Sequence, residues 1–198
     1  MPGLAPASTV ARMQRGYGPL SLSIHRLILA CIVLVAGLVS VPPAAAESVW
    51  DKPGVEPYRL PVGRSWLNRD NITRPHHDHP SWDLNVPRGT KAYSVQAGRV
   101  VAVLHSGACG TGIVIDGFDG FRYTYCHGSA ALVRANERLH AGEPVMKTGS
   151  TGSATNNHLH FQIATRRGRL KCPQPLILSW WRGGQKTPRQ APYTGCTY

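Results

Sequence analysis

Acidic residues are scarce in this chain: 10 Asp and Glu stand against 22 Lys and Arg in 198 residues, a formal net charge of +12. Charge of either sign is thin, at 16%, while glycine (21) and proline (16) are frequent. That balance excludes a coiled coil or a long helical bundle. An apolar content of 42% equally excludes a disordered chain. The apolar run Leu27 to Val41 has 15 residues, short of the ~20 that cross a bilayer as a helix. No C-x-x-C spacing occurs among the five cysteines, which argues against a four-thiolate zinc site. No repeat at a fixed period is present. Basic residues do not alternate with aromatics as a single-stranded nucleic-acid platform requires, so nucleic acid is not an expected partner.

What is present begins with an export signal over residues 1–46. Arg12, Arg15 and His25-Arg26 supply a cationic start, the run from Leu27 the apolar stretch, and Ala44-Ala45-Ala46 a cleavage site before Glu47. Left uncleaved, the segment would be a membrane anchor; cleaved, it leaves no membrane contact. Ile28-Leu29-Ala30-Cys31 has the composition of a lipid-attachment box, but ten apolar-stretch residues follow the cysteine, which disfavours lipidation. The 152 residues that remain carry +9. A secreted chain of that charge suits an anionic polymer outside the cell.

Export places Cys109, Cys126, Cys172 and Cys196 in an oxidising compartment, where four cysteines permit three pairings. Proximity in the chain favours Cys109 with Cys126, closing a hairpin, and Cys172 with Cys196. Residues 47–74, rich in proline, glycine and single aromatics, read as an extended N-terminal segment laid over the core. Beyond it, short β-branched and aromatic runs recur between turn signals: Ala92 to Gln96, Arg99 to His105, Gly112 to Asp116, Phe121 to His127, Pro144 to Met146 and His158 to Ala164. This is the pattern of an all-β fold, a twisted antiparallel sheet. Gly117-Phe118-Asp119-Gly120 reads as a hairpin turn. The one helix expected after residue 46 is Pro175 to Arg182, opened by proline and stopped by Gly183-Gly184, with Trp180-Trp181 as packing residues.

Eight of the nine histidines fall between His76 and His160. Strand alternation puts His158, His160 and Gln162 on one face and Leu159, Phe161 and Ile163 on the other. The same alternation puts Tyr123, Tyr125 and His127 on one face of the neighbouring run, with Thr124 and Cys126 on the other. If the two runs share a sheet, His127 and His158 can face each other. In the loop from Arg74 to Leu84, His76, His77, Asp78, His79 and Asp83 offer the nitrogen and oxygen donors that zinc accepts. Together with a histidine from a distant strand they would make a two-His, one-Asp set with an open position. Asp78 is a candidate for orienting a ligand histidine. His77, His105 and His140 have no specific expected role.

The histidine-to-aspartate pair in that loop is followed by Gly89-Thr90-x-x-Tyr93-x-Val95-x-x-Gly98-x-Val100 and Tyr125-Cys126-His127. Ala141-Gly142-Glu143-Pro144-Val145, Gly149-Ser150-Thr151-Gly152 and His158-Leu159-His160-Phe161 complete the series. In order and spacing it resembles the lysostaphin-like, LytM-type zinc endopeptidases, over about Pro75 to Ile163. The resemblance implies a peptidoglycan hydrolase with a metal-binding groove and one zinc ion per chain, held by Asp83 and His160, with His127 and His158 as the catalytic pair. The common family form H-x-G-x-D is not met at His79 to Asp83, which lack the glycine. A variant form with the ligand histidine seven residues before the aspartate and a proline between falls on His76, so His76 is the expected first ligand and His79 its alternative. Either needs a sharp bend, because i and i+4 on an extended strand lie ~13 Å apart.

The expected organisation is thus a signal at 1–46, the extended segment at 47–74, a zinc endopeptidase domain at 75–165 and a C-terminal extension at 166–198 tied by a disulfide. The expected enzyme is secreted, monomeric and wall-associated, with a peptidoglycan peptide as substrate. The competing expectation is a non-catalytic regulator of a partner hydrolase, whose mark is a damaged ligand set. Here Asp83, His127, His158 and His160 are all present.

Overall fold

The β-branched and aromatic runs form an antiparallel sheet in the computed structural model, which describes residues 56–196. The expected export segment and Cys31 lie outside the described residues. Among these, nine strands occur: β1 (Trp82–Asn85), β2 (Lys91–Tyr93), β3 (Gly98–His105), β4 (Thr111–Gly117), β5 (Phe121–Ala131), β6 (Arg138–Leu139), β7 (Pro144–Thr148), β8 (His158–Thr165) and β9 (Leu170–Lys171). The order is β1-β8-β5-β4-β3-β6, with β7 bridging β2 and β5, and β9 on β8. The fold is therefore all-β and antiparallel, with two short α-helices among the described residues. The β4–β5 hairpin turns at Gly120, whose φ of 89° is open to glycine at little cost and whose N–H donates to the Gly117 carbonyl at 3.1 Å.

Period-two alternation decides the core. Leu159, Phe161 and Ile163 of β8 are fully buried, and the register sets Phe161 opposite Tyr125 and Ile163 opposite Tyr123. Burying a side chain of this size is worth about 1.5–3 kcal/mol. Both tyrosine hydroxyls are satisfied: Tyr125 accepts from the Val95 N–H at 3.0 Å, and Tyr123 donates to Asp119. The opposite face of β8 is left to His158, His160 and Gln162.

Three expectations are corrected. The segment before residue 75 is not wholly extended: it holds a 3-10 turn (Arg64–Trp66) and a one-turn helix α1 (Arg69–Thr73). A capping box closes α1, with the Asn71 N–H donating to Asn68 Oδ1 at 2.9 Å and the Asn68 N–H to Asn71 Oδ1 at 3.0 Å. Fully buried Ile72 anchors it, and five residues are too few for an apolar period to show. The run over 92–96 is shorter as a strand, since the chain bends after Tyr93 and the Ser94 hydroxyl donates to the Gln96 carbonyl at 2.7 Å. Asp83 lies on strand β1 rather than in a loop.

The one expected helix appears as α2 (Gln174–Trp181), where Trp180 stacks on Tyr58 with ring centres 5.0 Å apart. Disulfides join Cys109 to Cys126 and Cys172 to Cys196, with Cα separations of 4.8 and 5.3 Å. The first ties the loop ahead of β4 to β5, and the second holds the C-terminal tail to the end of β9.

Candidate active site

The β1–β8 pairing places Asp83 directly opposite His160, so their side chains emerge on one face of the sheet. His160 Nδ1 donates to Asp83 Oδ1 at 2.7 Å. Bends at residues 77–80 fold the preceding chain back and bring His76 Nε2 to 3.4 Å from Asp83 Oδ2. The donor atoms of His76, Asp83 and His160 all lie within 4.8 Å of one another. Ligand atoms at ~2.0–2.1 Å from a tetrahedral zinc sit ~3.3 Å apart. The His76–Asp83 spacing already meets that value, and the His160–Asp83 contact has to open by ~0.6 Å as Nδ1 gives up its proton to ligate. The donor set fits zinc.

His79 is placed differently. Its Nε2 faces the Gln162 side-chain nitrogen at 2.8 Å, and that nitrogen also lies 2.9 Å from His160 Nε2. His79 does fall in a second, more exposed donor set with His76 and Asp78. The Asp78 carboxylate pairs with His77 at 2.9 Å, both side chains being exposed, and so does not orient a groove histidine; only the Asp78 backbone N–H approaches His76 Nδ1, at 3.3 Å. His140 pairs with Glu56, away from the groove.

His127 reaches the site by breaking the alternation of β5. Continued strictly, the strand would keep His127 on the face of Tyr123 and Tyr125, as the sequence pattern implied, but that face is the core. Instead its backbone is left-handed, with φ 67°, next to a register shift between β4 and β5. The side chain thereby joins Thr124 and Cys126 on the groove face, with its ring centre 4.6 Å from that of His158 and 5.7 Å from that of His160. The Cys109 carbonyl accepts the His127 N–H at 2.9 Å and stabilises this conformation.

Backbone carbonyls also set the tautomers. His127 Nδ1 lies 2.8 Å from the Thr151 carbonyl and His158 Nδ1 lies 3.0 Å from that of Asn156. A carbonyl oxygen only accepts, so Nδ1 carries the proton in both rings and each neutral imidazole keeps its lone pair on Nε2. Thr151 is itself fixed, its hydroxyl accepting from the Thr111 N–H at 2.9 Å and donating to the Gly128 carbonyl at 2.8 Å. Thr151, Asn156 and Gln162 thus serve the site without having been picked out as site residues in the sequence. The face alternation of β8 did signal Gln162; nothing local marked the other two.

Burial pushes the His127 pKa below the ordinary histidine value, and does the same for His76 and His79. Burial alone would raise the Asp83 carboxyl, but the hydrogen bond from His160 and the nearby imidazoles outweigh it and hold the pKa low. The groove therefore favours neutral imidazoles around an ionised carboxylate, the protonation state that metal ligation requires. These residues line a cavity of about 640 Å³, whose wall includes the Cys109–Cys126 disulfide.

Residues 77–172 match the model of peptidase family M23. The lipoprotein NlpD of Yersinia enterocolitica is 34% identical over 95 residues, which is 48% of this chain and 94% of that relative. The chain belongs to peptidase family M23. The M23 match begins one residue past His76 and includes Asp83, His127, His158 and His160. The peptidoglycan DD-endopeptidase ShyB of Vibrio cholerae serotype O1 is 26% identical over 133 residues, 61% of this M23 chain and 31% of the relative. The chain thus spans about a third of ShyB's length. Among solved structures, the catalytic domain of the antimicrobial peptidase lysostaphin from Staphylococcus simulans shares 26% identity at a TM-score of 0.49, over 63% of this chain and 88% of that one.

Proposed function

We propose that this M23 chain is an exported zinc endopeptidase that hydrolyses peptide bonds of peptidoglycan, in stem peptides or cross-bridges. Residues 75–165 carry the chemistry, and 166–198 are a C-terminal extension tied by the second disulfide. The observation that carries the reading is the convergence of two groups on one groove: the His76, Asp83 and His160 donors, and the paired His127 and His158 rings with their lone pairs on Nε2.

His76, Asp83 and His160 would hold one zinc, leaving a position for water or a substrate carbonyl. Bound there, zinc supplies Lewis-acid polarisation and a lowered pKa for bound water. His127 and His158 each present a lone pair, so either can take the proton of the attacking water. The imidazole that has accepted it becomes a donor, first to the developing oxyanion and then to the leaving amine. The Thr151 and Asn156 carbonyls stabilise that imidazolium by holding its second N–H. The basic surface suits an anionic wall polymer as a further contact.

The test incubates the oxidised protein with zinc and purified peptidoglycan, reads released fragments by mass spectrometry, and runs His160→Ala and a chelator in parallel. New peptide ends that vanish in both controls are expected, and they name the bond. Zinc binding without cleavage of any wall type would refute the enzyme and assign the chain to regulation of a partner hydrolase.

A further inference from the structure

Cations crowd the end of the sheet remote from the groove. Lys171 of β9 is only 3% exposed; its Nζ donates to the Ala191 carbonyl at 2.6 Å and lies 3.7 Å from the centre of the Tyr193 ring. Arg169 sits over the same ring at 3.9 Å. Arg189, exposed on the 3-10 turn Pro188–Gln190, lies 6.0 Å from the centre of the Phe121 ring. Lys171, Arg189, Tyr193, Phe121 and Thr165 line a cavity of about 370 Å³. Thr165 ends β8 five residues beyond His160, about 16 Å along an extended strand. The cavity is separate from the zinc groove.

Among the described residues no carboxylate forms an ion pair with Arg169, Lys171 or Arg189. The acids on the neighbouring β4–β5 hairpin are already engaged. Asp116 is held by Arg122 at 2.8 Å and by Arg166. Asp119 accepts from the hydroxyls of Tyr58, at 2.9 Å, and Tyr123, and from the Phe121 N–H at 3.1 Å. An ammonium with one carbonyl partner keeps two further N–H donors. Buried charge is costly unless paired, and aromatic faces offset only part of that cost. The cluster has the form of a half-built ion pair whose missing member is negative.

We propose that this cavity is a subsite for an oxyanion, a phosphate or carboxylate group, with Lys171 at its floor and Arg189 at its mouth. The Arg189 guanidinium presents the planar fork that both groups accept bidentately. A chain outside the cell meets that chemistry on phosphate-bearing polymers or on free peptide carboxylates, so the subsite would hold a wall strand well away from the cleavage point. The inference does not depend on zinc or on peptidase activity.

The test titrates the oxidised, isotope-labelled protein with inorganic phosphate and, separately, with acetate, at constant ionic strength, following backbone amide shifts. Saturable shifts centred on Thr165, Lys171, Arg189 and Tyr193 are expected, and the anion that produces them identifies the source. Arg189→Gln should weaken binding about tenfold or more, the weight of a charged hydrogen bond, while leaving hydrolysis of a short soluble peptide unchanged. Lys171→Met should abolish the shifts; because Lys171 is buried, the Arg189 variant keeps the test decisive if that protein does not fold. Shifts that never saturate, that map elsewhere, or that persist with equal affinity in Arg189→Gln overturn the proposal.

Discussion

Replacing the two disulfides one at a time separates what a crosslink does for stability from what it does for the groove. The crosslinked residues are 17 and 24 positions apart, and loop-closure entropy puts their contributions at about 3.1 and 3.4 kcal/mol. The two are nearly equal. For a protein of this size each kcal/mol moves the melting temperature by about 2–4 °C, so Cys109→Ser/Cys126→Ser and Cys172→Ser/Cys196→Ser should each melt about 6–14 °C lower by calorimetry. Activity should part company with stability. Cys126 adjoins His127, and the Cys109 carbonyl holds the His127 N–H at 2.9 Å in its left-handed conformation. The second crosslink fastens only the tail. Measured well below both melting points, peptide cleavage should fall about 10²-fold in the first variant, the cost of a displacement of roughly 1 Å at a catalytic group, and stay within about twofold of the parent in the second. Equal, near-parental activities after the expected melting shifts would refute the argument, because the β4–β5 ladder alone would then hold His127.

Three further outcomes follow from the same geometry. Gly152→Ala should lower stability by about 2–5 kcal/mol in denaturant titrations, because φ there is 72° and a Cβ would stand 2.3 Å from the Ala108 carbonyl oxygen; an unchanged midpoint would contradict it. Gln162→Met should keep the fold but weaken zinc binding about 10–100-fold in chelator competition, since the amide that orients His160 is gone; parental affinity would dismiss that role. In acid, burial keeps His76, His79 and His127 neutral in the folded state while the unfolded chain protonates near 6.5. The unfolded state then binds more protons, so the metal-free protein should lose stability as pH falls from 6.5 toward the depressed folded values, and Asp83 adds a later loss below 3.8. Cleavage should likewise fall on the acid side of the free histidine range as His76 and His127 protonate, and a flat profile to pH 4 would sink both expectations.

Much of the fold was legible because its signals are local. The β4–β5 turn, the alternation of β8, the start and stop of α2 and the cysteine pairs all depend on neighbours in the chain. What escaped depends on partners far away. Asp83 sits among histidines, prolines and serines that read as a loop, and only pairing with β8 makes it a strand residue. The residues the structure gathers, His76, Asp83, His127, His158 and His160, were the ones the motif order pointed to. The route of one of them was misread, since period-two alternation carries no sign of a left-handed residue at position 127. Thr151 and Asn156 act through main-chain carbonyls, which side-chain identity does not announce. The bends at 77–80 that bring His76 back to Asp83 are likewise a property of the folded loop.

The left-handed turn at His127 makes strand registration and the assembly of the groove one quantity. On a single strand, Tyr123 and Tyr125 belong to the interior and His127 to the groove, and the changeover happens within two residues. Were β5 to pair one residue out of step, the tyrosines would face solvent and the imidazole would be carried away from His158. A chain that has collapsed but not yet settled its pairing therefore has no working site, so the appearance of cleavage during refolding would time the locking of β5 and serve as an intrinsic clock for it.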